Sequence, residues 1–355
     1  MQTRRTRLSM LGFALACAIV ASPRARAEEP VHELVRLAPP PARAPELAPE
    51  SLRDVAPPIA FDRWRGLSFG SYLAPERDFV RDDGGVDVVF HFHAGQMAER
   101  QLKESGLNAV FVSCGFGLGS GAYADAFASP ARFGRMLDEL SKSLAKATGK
   151  SNVHVRRLGL ASWSAGFAAV SRILSVERYY GMVDAVVLND SIHAQYKDSG
   201  SRPKAAAQGA DQVDVKMMGS FVRFARDAAA GRKVMVLTHS AIIPPDYASS
   251  TEATQALLTA ISVPLRTVDS DADPAIPSLS PDKVHAAIAS RGASGKLSLR
   301  TRADAGNLHV RGFRGQGPRD HFDHLYLVGE ALRSWVVPRW KRDDRLVYTL
   351  AGEQL

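Results

Sequence analysis

Short apolar runs alternate with longer segments of helical spacing along most of this chain. Each run is seven or eight residues long and rich in apolar residues, which is typical of strands buried on both faces of a sheet. The alternation with helices predicts an α/β fold, with a mainly parallel central sheet covered by helices on both faces. The predicted strands are VDVVFHF (86–92), LNAVFVSC (107–114), VRRLGLAS (155–162), VDAVVLND (183–190), KVMVLTHS (233–240) and LHVRGFRG (308–315).

Two segments between these strands have helical spacing and close on a glycine. They are PARFGRMLDELSKSLAKATG (130–149) and AAVSRILSVERYYG (168–181). Glycine adopts the left-handed conformation that ends many helices, so Gly149 and Gly181 are predicted to be C-caps. The segment HLYLVGEALRSWV (324–336) predicts an amphipathic last helix. No repeat of 20 to 50 residues is visible, which argues against solenoids and propellers.

The first 27 residues have the layout of a secretory signal peptide. Basic residues precede an apolar stretch, Leu8 to Ala21, and Ala25-Arg26-Ala27 offers a small-x-small cleavage site. The stretch is shorter than the roughly 20 residues that a membrane span needs, so cleavage and export to the periplasm or medium are predicted over a single anchor. Lipid attachment at Cys17 is a lesser alternative, since the leucine of a lipobox would stand three residues before the cysteine and Leu15 stands two before.

Residues 28–60 are rich in proline and alanine, a composition that predicts an extended, solvated linker. The folded domain is predicted to begin near Phe61 and to occupy 61–355. Within it, two polar segments at about 195–213 and 269–295 have little periodicity. We interpret them as short insertions of the kind that form a cap.

Composition narrows the classes of partner. A hydrophobic content of 45% excludes general disorder. The 45 basic against 37 acidic residues would permit nucleic-acid contacts, but the arginines are scattered and form no stripe with aromatic residues. We therefore expect no nucleic-acid partner and no stable membrane insertion. With the leader removed, Cys114 is the only cysteine, so no internal disulfide is expected, and its apolar surroundings predict a buried structural thiol.

The stretch LASWSAG (160–166) lies where a predicted strand meets a predicted helix. Such a strand–turn–helix context holds a nucleophilic serine at the top of a sheet, and the residues two before and two after the serine must be small. Ser162 and Gly166 meet that requirement. We therefore predict that Ser164 is a nucleophile; the competing interpretation is a serine that caps the helix.

A serine nucleophile needs a histidine to take its proton. The segment RDHFDHL (319–325) offers His321 and His324 at the start of the last helix. Asp320 and Asp323 favour the positive helix N-terminus, which leaves His321 at the first turn, facing the loop. His321 is the predicted base, and His324, one turn deeper, is the alternative.

The histidine in turn needs an acid to orient it. Asp190 ends the strand that follows the nucleophile helix, where a carboxylate points from the sheet edge toward the site. Asp246 comes after the next strand but only beyond two prolines. Asp190 is the predicted acid, and Asp246 the alternative.

The reaction also needs N–H donors for the charge that develops on the substrate oxygen. The backbone N–H of Ala165, next to the nucleophile, is one predicted donor. HFHAG (91–95) ends an early strand and resembles the His-Gly segment that supplies the second donor in esterases and lipases. By that match Ala94 or Gly95 carries this N–H, and His93 shapes the loop.

Taken in order, HFHAG, SWSAG and RDHFDHL resemble the α/β-hydrolase fold, over a region from Phe61 to the C-terminus. The resemblance implies a catalytic domain that hydrolyses an ester, or less commonly an amide or peptide, through a Ser-His-Asp triad and an acyl-enzyme intermediate. It implies a small-molecule ester or acyl substrate and no cofactor or metal. The chain departs from the family pattern in two respects: Ser162 replaces the first glycine of the turn, and the acid comes one strand early.

Two other functions stay open on the sequence alone. Asp190, His193 and His239 all lie at or just after strand ends, so they could form the metal site of a metal-dependent hydrolase. His91 and His93 share one face of their strand, although His91, inside the strand, is best interpreted as a core residue. The third possibility is a non-catalytic exported binding protein on the same scaffold.

Overall fold

The computed structural model describes residues 59–197, 206–268, 297–342 and 344. The predicted signal peptide, the predicted linker up to residue 58 and much of the two predicted insertions (198–205 and 269–296) lie outside the described residues. Among the described residues, no helix is both long enough and apolar enough to span a bilayer.

Ten strands of the described residues form one sheet in the order β1-β2-β4-β3-β5-β6-β7-β10-β9-β8. The six central strands, from β4 to β10 in that order, are parallel, and two antiparallel strands extend the sheet at each side. The predicted mainly parallel sheet is therefore confirmed. The strands are β1 Arg65–Leu67, β2 Gly70–Leu73, β3 Gly85–Phe92, β4 Val110–Cys114, β5 His154–Trp163, β6 Val183–Asn189, β7 Val234–His239, β8 Arg266–Thr267, β9 Leu299–Ala305 and β10 Leu308–Phe313.

Helices cover both faces of this sheet, because side chains of a strand alternate between two apolar clusters. Val88 and Phe90 of β3 pack on one face with α3, α4, α6 and α7, whereas Val89 packs on the other with α1, α8 and α9. The helices are α1 Glu99–Glu104, α2 Ser120–Ala126, α3 Ala131–Thr148, α4 Phe167–Leu174, α5 Glu177–Met182, α6 Gly219–Ala229, α7 Ser250–Ala260, α8 Pro318–Leu325 and α9 Val328–Ala331.

Two predicted helices are only partly right. Gly149 caps α3 in the left-handed conformation, with φ 72°, as predicted. The segment 168–181, however, contains two helices that break near Ser175, and Gly181 lies inside α5 rather than at a C-cap. The predicted last helix, 324–336, starts earlier, at Pro318, and is interrupted after Leu325 before a π-helical turn at Leu332–Val336.

Ion pairs hold the amino edge of the sheet, where the parallel strands begin. Arg156 of β5 binds Asp87 of β3 through Nε, 2.8 Å from Oδ1, and reaches Asp344 through Nη1 at 2.8 Å. Arg157 donates to the same Asp344 oxygen at 2.6 Å. This network ties the beginning of two neighbouring strands to the C-terminal helical segment.

Candidate active site

Backbone strain is concentrated at the carboxyl edge of the sheet, where the parallel strands end. Six described non-glycine residues have positive φ, and four of the six come directly after β3, β5 or β6. A non-glycine residue in this region costs about 1–3 kcal/mol and persists only where its surroundings impose it. The six are Asp78, His93, Ala94, Ser164, Asp190 and Ser262.

Ser164 stands on a tight turn between β5 and α4. Its φ is 52°, and it begins a single 3₁₀ turn, Ser164–Gly166, that leads into the helix. A Cβ at Gly166 would lie 2.3 Å from the carbonyl oxygen of Phe92, so only glycine fits there. The close approach of β3 explains the small residue at this position, and it leaves Ser164 at the strand end, 7% exposed.

Asp190 and His321 form the central hydrogen-bonded pair of this edge. His321, at the first turn of α8, places Nδ1 2.7 Å from Oδ2 of Asp190. Asp190 follows β6 with φ 46° and is 2% exposed. An ionised carboxylate accepts hydrogen bonds only, so the proton of this bond belongs to Nδ1 and the other ring nitrogen, Nε2, is an acceptor in the neutral imidazole.

Three donors converge on the Asp190 carboxylate. Besides His321, Oδ1 accepts the backbone N–H of Ser240, at 2.9 Å, and the hydroxyl of Ser250. Burial opposes ionisation of Asp190, but the nearby imidazoles of His324 and His321 and the hydrogen bonds from His321 and Ser250 outweigh it. They hold its pKa well below the usual 3.8, so the group is ionised at neutral pH.

Trp163 links the turn of Ser164 to the histidine. Its Nε1 donates to the carbonyl of His321 at 2.8 Å, and the two ring centroids are 4.7 Å apart. None of the residues that the structure describes is hydrogen-bonded to the buried Nε2 of His321, and no hydrogen bond joins this nitrogen to Ser164. Catalytic hydrogen bonds commonly tighten only when substrate is present, so this geometry leaves Nε2 as an open acceptor.

The loop after β3 carries the predicted backbone donors. His93 and Ala94 are both left-handed, with φ 72° and 58°, and Gly95 begins a 3₁₀ turn, Gly95–Ala98. The N–H groups of His93, Gln96 and Met97 are engaged by Cys114, Ser113 and Ala94. Among the described residues, no backbone hydrogen bond outside the helices and strands engages the N–H of Ala94, Gly95 or Ala165.

His93 braces this loop against Trp163. Its Nδ1 lies 2.8 Å from the hydroxyl of Tyr123, and its ring stacks on Trp163 with centroids 5.1 Å apart and planes 17° apart. Burial, together with the charge of His321, lowers the pKa of His93 to about 4. His93 is therefore a neutral, packed side chain at neutral pH, in keeping with the loop-shaping role predicted for it.

The two alternative residues, His324 and Asp246, are not hydrogen-bonded to the Asp190–His321 pair. His324 is fully buried, and its Nδ1 is 2.7 Å from the hydroxyl of Thr238 rather than bound to a carboxylate. Burial lowers its pKa to about 4. Asp246 is exposed on the loop after β7, and no hydrogen bond among the described residues connects it to either histidine. The structure thus joins His321 to Asp190 by a hydrogen bond, whereas His324 lies near the pair but is bonded to Thr238, and Asp246 has no hydrogen bond to either histidine.

The three candidate metal ligands do not converge. His239 Nδ1 is 2.7 Å from the hydroxyl of Thr251, and its Nε2 faces Thr301 at 3.4 Å. His193 packs edge-on against aromatic rings, and Asp190 is occupied as described above. Within the part of the chain that the structure describes, no three His, Cys, Asp or Glu side chains are grouped to hold a metal ion.

Two remaining predictions concern core residues. His91 is 1% exposed inside β3, as expected for a core position, and burial lowers its pKa to about 3. Cys114 is a buried free thiol whose pKa burial raises. Neither side chain contributes to the Asp190–His321 pair.

Sequence reasoning missed the residues that hold the site together. Trp163 fixes His321, Ser240 and Ser250 hold Asp190, and Ser191 binds the turn of Ser164. Sequence reasoning could have found Trp163 and Ser191, because each is adjacent in sequence to a predicted site residue. The partners from β7 and α7 depend on how distant strands meet, which no local pattern encodes.

Comparisons with known proteins add little beyond this geometry. Three similar solved structures are an acylaminoacyl peptidase from Pyrococcus horikoshii (12% identity, 57% of this chain, TM-score 0.33), carboxyl esterase 2 from Tuber melanosporum (10%, 80%, 0.34) and a carboxylesterase from Bacillus subtilis (8%, 83%, 0.32). The matches span 35%, 89% and 93% of those chains. At such TM-scores they carry no argument, so the fold rests on the strand order given above. No protein-family model and no curated protein matches the chain.

Proposed function

We propose that this protein is an exported serine hydrolase that cleaves a small-molecule ester through an acyl-enzyme intermediate on Ser164. In this assignment His321 is the general base and then the general acid, and Asp190 holds its imidazole. Ala165 and either Ala94 or Gly95 supply the N–H donors for the developing oxyanion. Amide or peptide substrates are the lesser alternative for the same machinery.

The observation that carries the proposal is the buried Asp190–His321 pair. Its Nδ1–Oδ2 bond of 2.7 Å fixes the tautomer whose Nε2 accepts a proton, and that nitrogen is buried without a partner. Other buried ring nitrogens, such as those of His91, are also without a partner, so the bond between Nδ1 and the Asp190 carboxylate is what distinguishes His321 as a base. Ser164, at positive φ at the end of β5, is the hydroxyl that we assign to this base, since the neighbouring Trp163 is bonded to the carbonyl of His321.

The geometry supports the following steps. Nε2 of His321 takes the proton of Ser164 Oγ as that oxygen attacks the ester carbonyl carbon, and the carbonyl oxygen gains the negative charge. The N–H donors stabilise this charge, and Nε2–H then protonates the leaving alkoxide as the C–O bond breaks. Water repeats the sequence on the acyl-enzyme: Nε2 takes its proton, and the departing serine oxygen regains one.

A fluorophosphonate probe tests the nucleophile. The wild-type chain should acquire one phosphonyl group, and Ser164→Ala should acquire none while keeping its circular dichroism and melting temperature. Ser171→Ala, three residues from the end of α4, is the control, and it should label normally because it lies outside the turn. Undiminished labelling of Ser164→Ala would contradict the assignment.

The two competing functions give different results in the same assay. Ester hydrolysis that a chelator abolishes and a phosphonate leaves intact would indicate a metal-dependent hydrolase. A folded chain that neither hydrolyses a panel of esters nor reacts with the probe would indicate a binding protein. We expect inhibition by the phosphonate and no response to the chelator.

A further inference from the structure

The serine that replaces the first glycine of the turn is engaged in a chain of hydrogen bonds. Ser162 Oγ lies 2.8 Å from Ser191 Oγ, and Ser191 Oγ donates to the backbone carbonyl of Ser164 at 2.8 Å. Ser162 and Ser191 are both fully buried, at 0% exposure. The chain thus runs from one side of the turn, through the neighbouring loop, to the nucleophile's own carbonyl.

The direction of these bonds follows from the number of protons. Each hydroxyl has one proton, and that of Ser191 goes to the carbonyl of Ser164, which has none. Ser162 must therefore donate to Ser191, whose oxygen accepts. Ser162 consequently acts on the turn only through Ser191.

Ser191 connects the Ser164 turn to the loop that carries Asp190. Ser191 directly follows Asp190, so the residue that grips the nucleophile's carbonyl belongs to the same loop as the acid. Both Ser164 and Asp190 are held at positive φ, 52° and 46°. A small rotation of the backbone at either residue would change the direction of its side chain. The Ser191 bond joins these two strained residues independently of His321.

We infer that Ser162 and Ser191 are positioning residues, which hold the Ser164 turn in register with the acid loop and thereby aim Oγ at the histidine. This inference rests on the proposed function and deepens it. It also explains the departure from the usual turn, because a glycine at 162 could not donate to Ser191. Neither hydroxyl touches the reacting atoms.

The test compares kcat, KM, the rate of phosphonate labelling and melting temperature in four proteins: wild type, Ser162→Ala, Ser191→Ala and the double variant. Loss of aim by a fraction of an ångström lowers kcat but hardly changes substrate affinity. Ser191→Ala should lower kcat and the labelling rate about 10- to 100-fold and Ser162→Ala about 3- to 10-fold, with KM within about twofold. Because Ser162 acts through Ser191, it should have no further effect on kcat in the Ser191→Ala background.

A second serine pair provides the matched control. Ser171 Oγ of α4 lies 3.2 Å from Ser220 Oγ of α6, remote from the turn. Ser171→Ala, Ser220→Ala and their double variant should change melting temperature by a similar amount and leave kcat unaltered. A comparable loss of kcat from this pair would reduce the Ser162–Ser191 effect to general packing and overturn the inference.

The glycine variant separates hydrogen bonding from size. Ser162→Gly should lose as much kcat as Ser162→Ala, since both remove the donor; a loss confined to the glycine variant would overturn the inference. If Ser191→Ala does not fold, Ser162→Ala alone still tests the inference. A wild-type kcat in Ser162→Ala would show that the Ser162–Ser191 hydrogen bond does not position Ser164. Failure of the wild type to label overturns the proposed function itself, whereas normal labelling of both serine variants overturns only this inference.

Discussion

The two edges of the central sheet are built on opposite principles. At the amino edge Asp87, Arg156, Arg157 and Asp344 pair their charges in a network, and none of these four residues has a positive φ, although the register of β3 and β5 shifts there. At the carboxyl edge four non-glycine residues are held at positive φ, and a buried imidazole nitrogen has no partner. One edge satisfies its polar groups, and the other retains strain and an open acceptor.

This difference separates stability from chemistry along the same strands. β3 and β5 begin in the ion-pair network and end in the His93–Ala94 loop and the Ser164 turn. Strain that persists against its own cost is typical of functional sites. Substitutions at the two edges should therefore change different observables.

The largest effect is expected from Asp190→Asn at the carboxyl edge. The amide keeps the shape but no longer accepts as an anion from Nδ1–H, so the tautomer with a free Nε2 is lost. We expect kcat for an activated ester to fall about 10³- to 10⁴-fold. Asp246→Asn is the matched control and should retain wild-type kcat; the reverse order would make Asp246 the acid.

The buried histidines should make the protein sensitive to mild acid. Burial lowers the pKa of His239 and His324 to about 4 and that of His91 to about 3, against 6.5 in the unfolded chain. Between these values the unfolded state binds more protons, so stability is complete above about pH 6.5 and falls as the pH decreases toward 4. The loss at pH 5 should be on the order of 1–2 kcal/mol per histidine.

Urea unfolding at pH 7.5, 6, 5 and 4.5 measures this dependence. His91→Leu removes a titrating group that has no hydrogen-bond partner and should reduce the slope of stability against pH by up to one proton. Asp190 acts at lower pH than the histidines. Because its pKa is lowered in the folded state, its contribution to stability is lost only as the pH falls below about 4. Equal unfolding free energies at pH 7.5 and 5 would contradict the buried neutral state of these histidines.

The smallest effect is expected from Asp87→Asn at the amino edge. Burial raises the pKa of this carboxyl, although Arg156 and Arg157 act in the opposite direction, so the charge is itself costly there. Arg156 and Arg157 keep their bonds to Asp344, so neither cation is left without a carboxylate, and the substitution should lower the free energy of unfolding by only about 1–2 kcal/mol. At 25 °C kcat should be unchanged. A large loss of kcat without loss of stability would erase the contrast between the edges.

The sequence predicted the strands better than their caps and contacts. Apolar runs marked all six central parallel strands, because burial on both faces favours apolar residues. Gly181 failed as a C-cap since a short second helix continues through it, a choice made by packing rather than local propensity. Ser164, Asp190 and His321 could be proposed from the sequence because each stands at an element boundary that the pattern locates.

The supporting groups were beyond local reasoning. Ser240 and Ser250 bind Asp190 only because β7 and α7 come beside β6 in the sheet order, and the sequence separations are 50 and 60 residues. The same holds for Thr238, whose hydroxyl bonds to His324 across a sequence separation of 86 residues. This bond gives His324 a structural role. Sequence spacing locates a strand end, but tertiary pairing decides which groups meet there.

The central claim is covalent catalysis by Ser164. One mass-spectrometric measurement tests this claim directly. Wild-type protein is mixed with excess p-nitrophenyl ester, quenched in acid within the first turnovers, digested with trypsin and analysed by fragmentation. We expect one acyl group on the peptide LGLASWSAGFAAVSR (158–172), placed on Ser164 and not on Ser162 or Ser171. Turnover with no acyl adduct, or an adduct on another residue, would contradict the account.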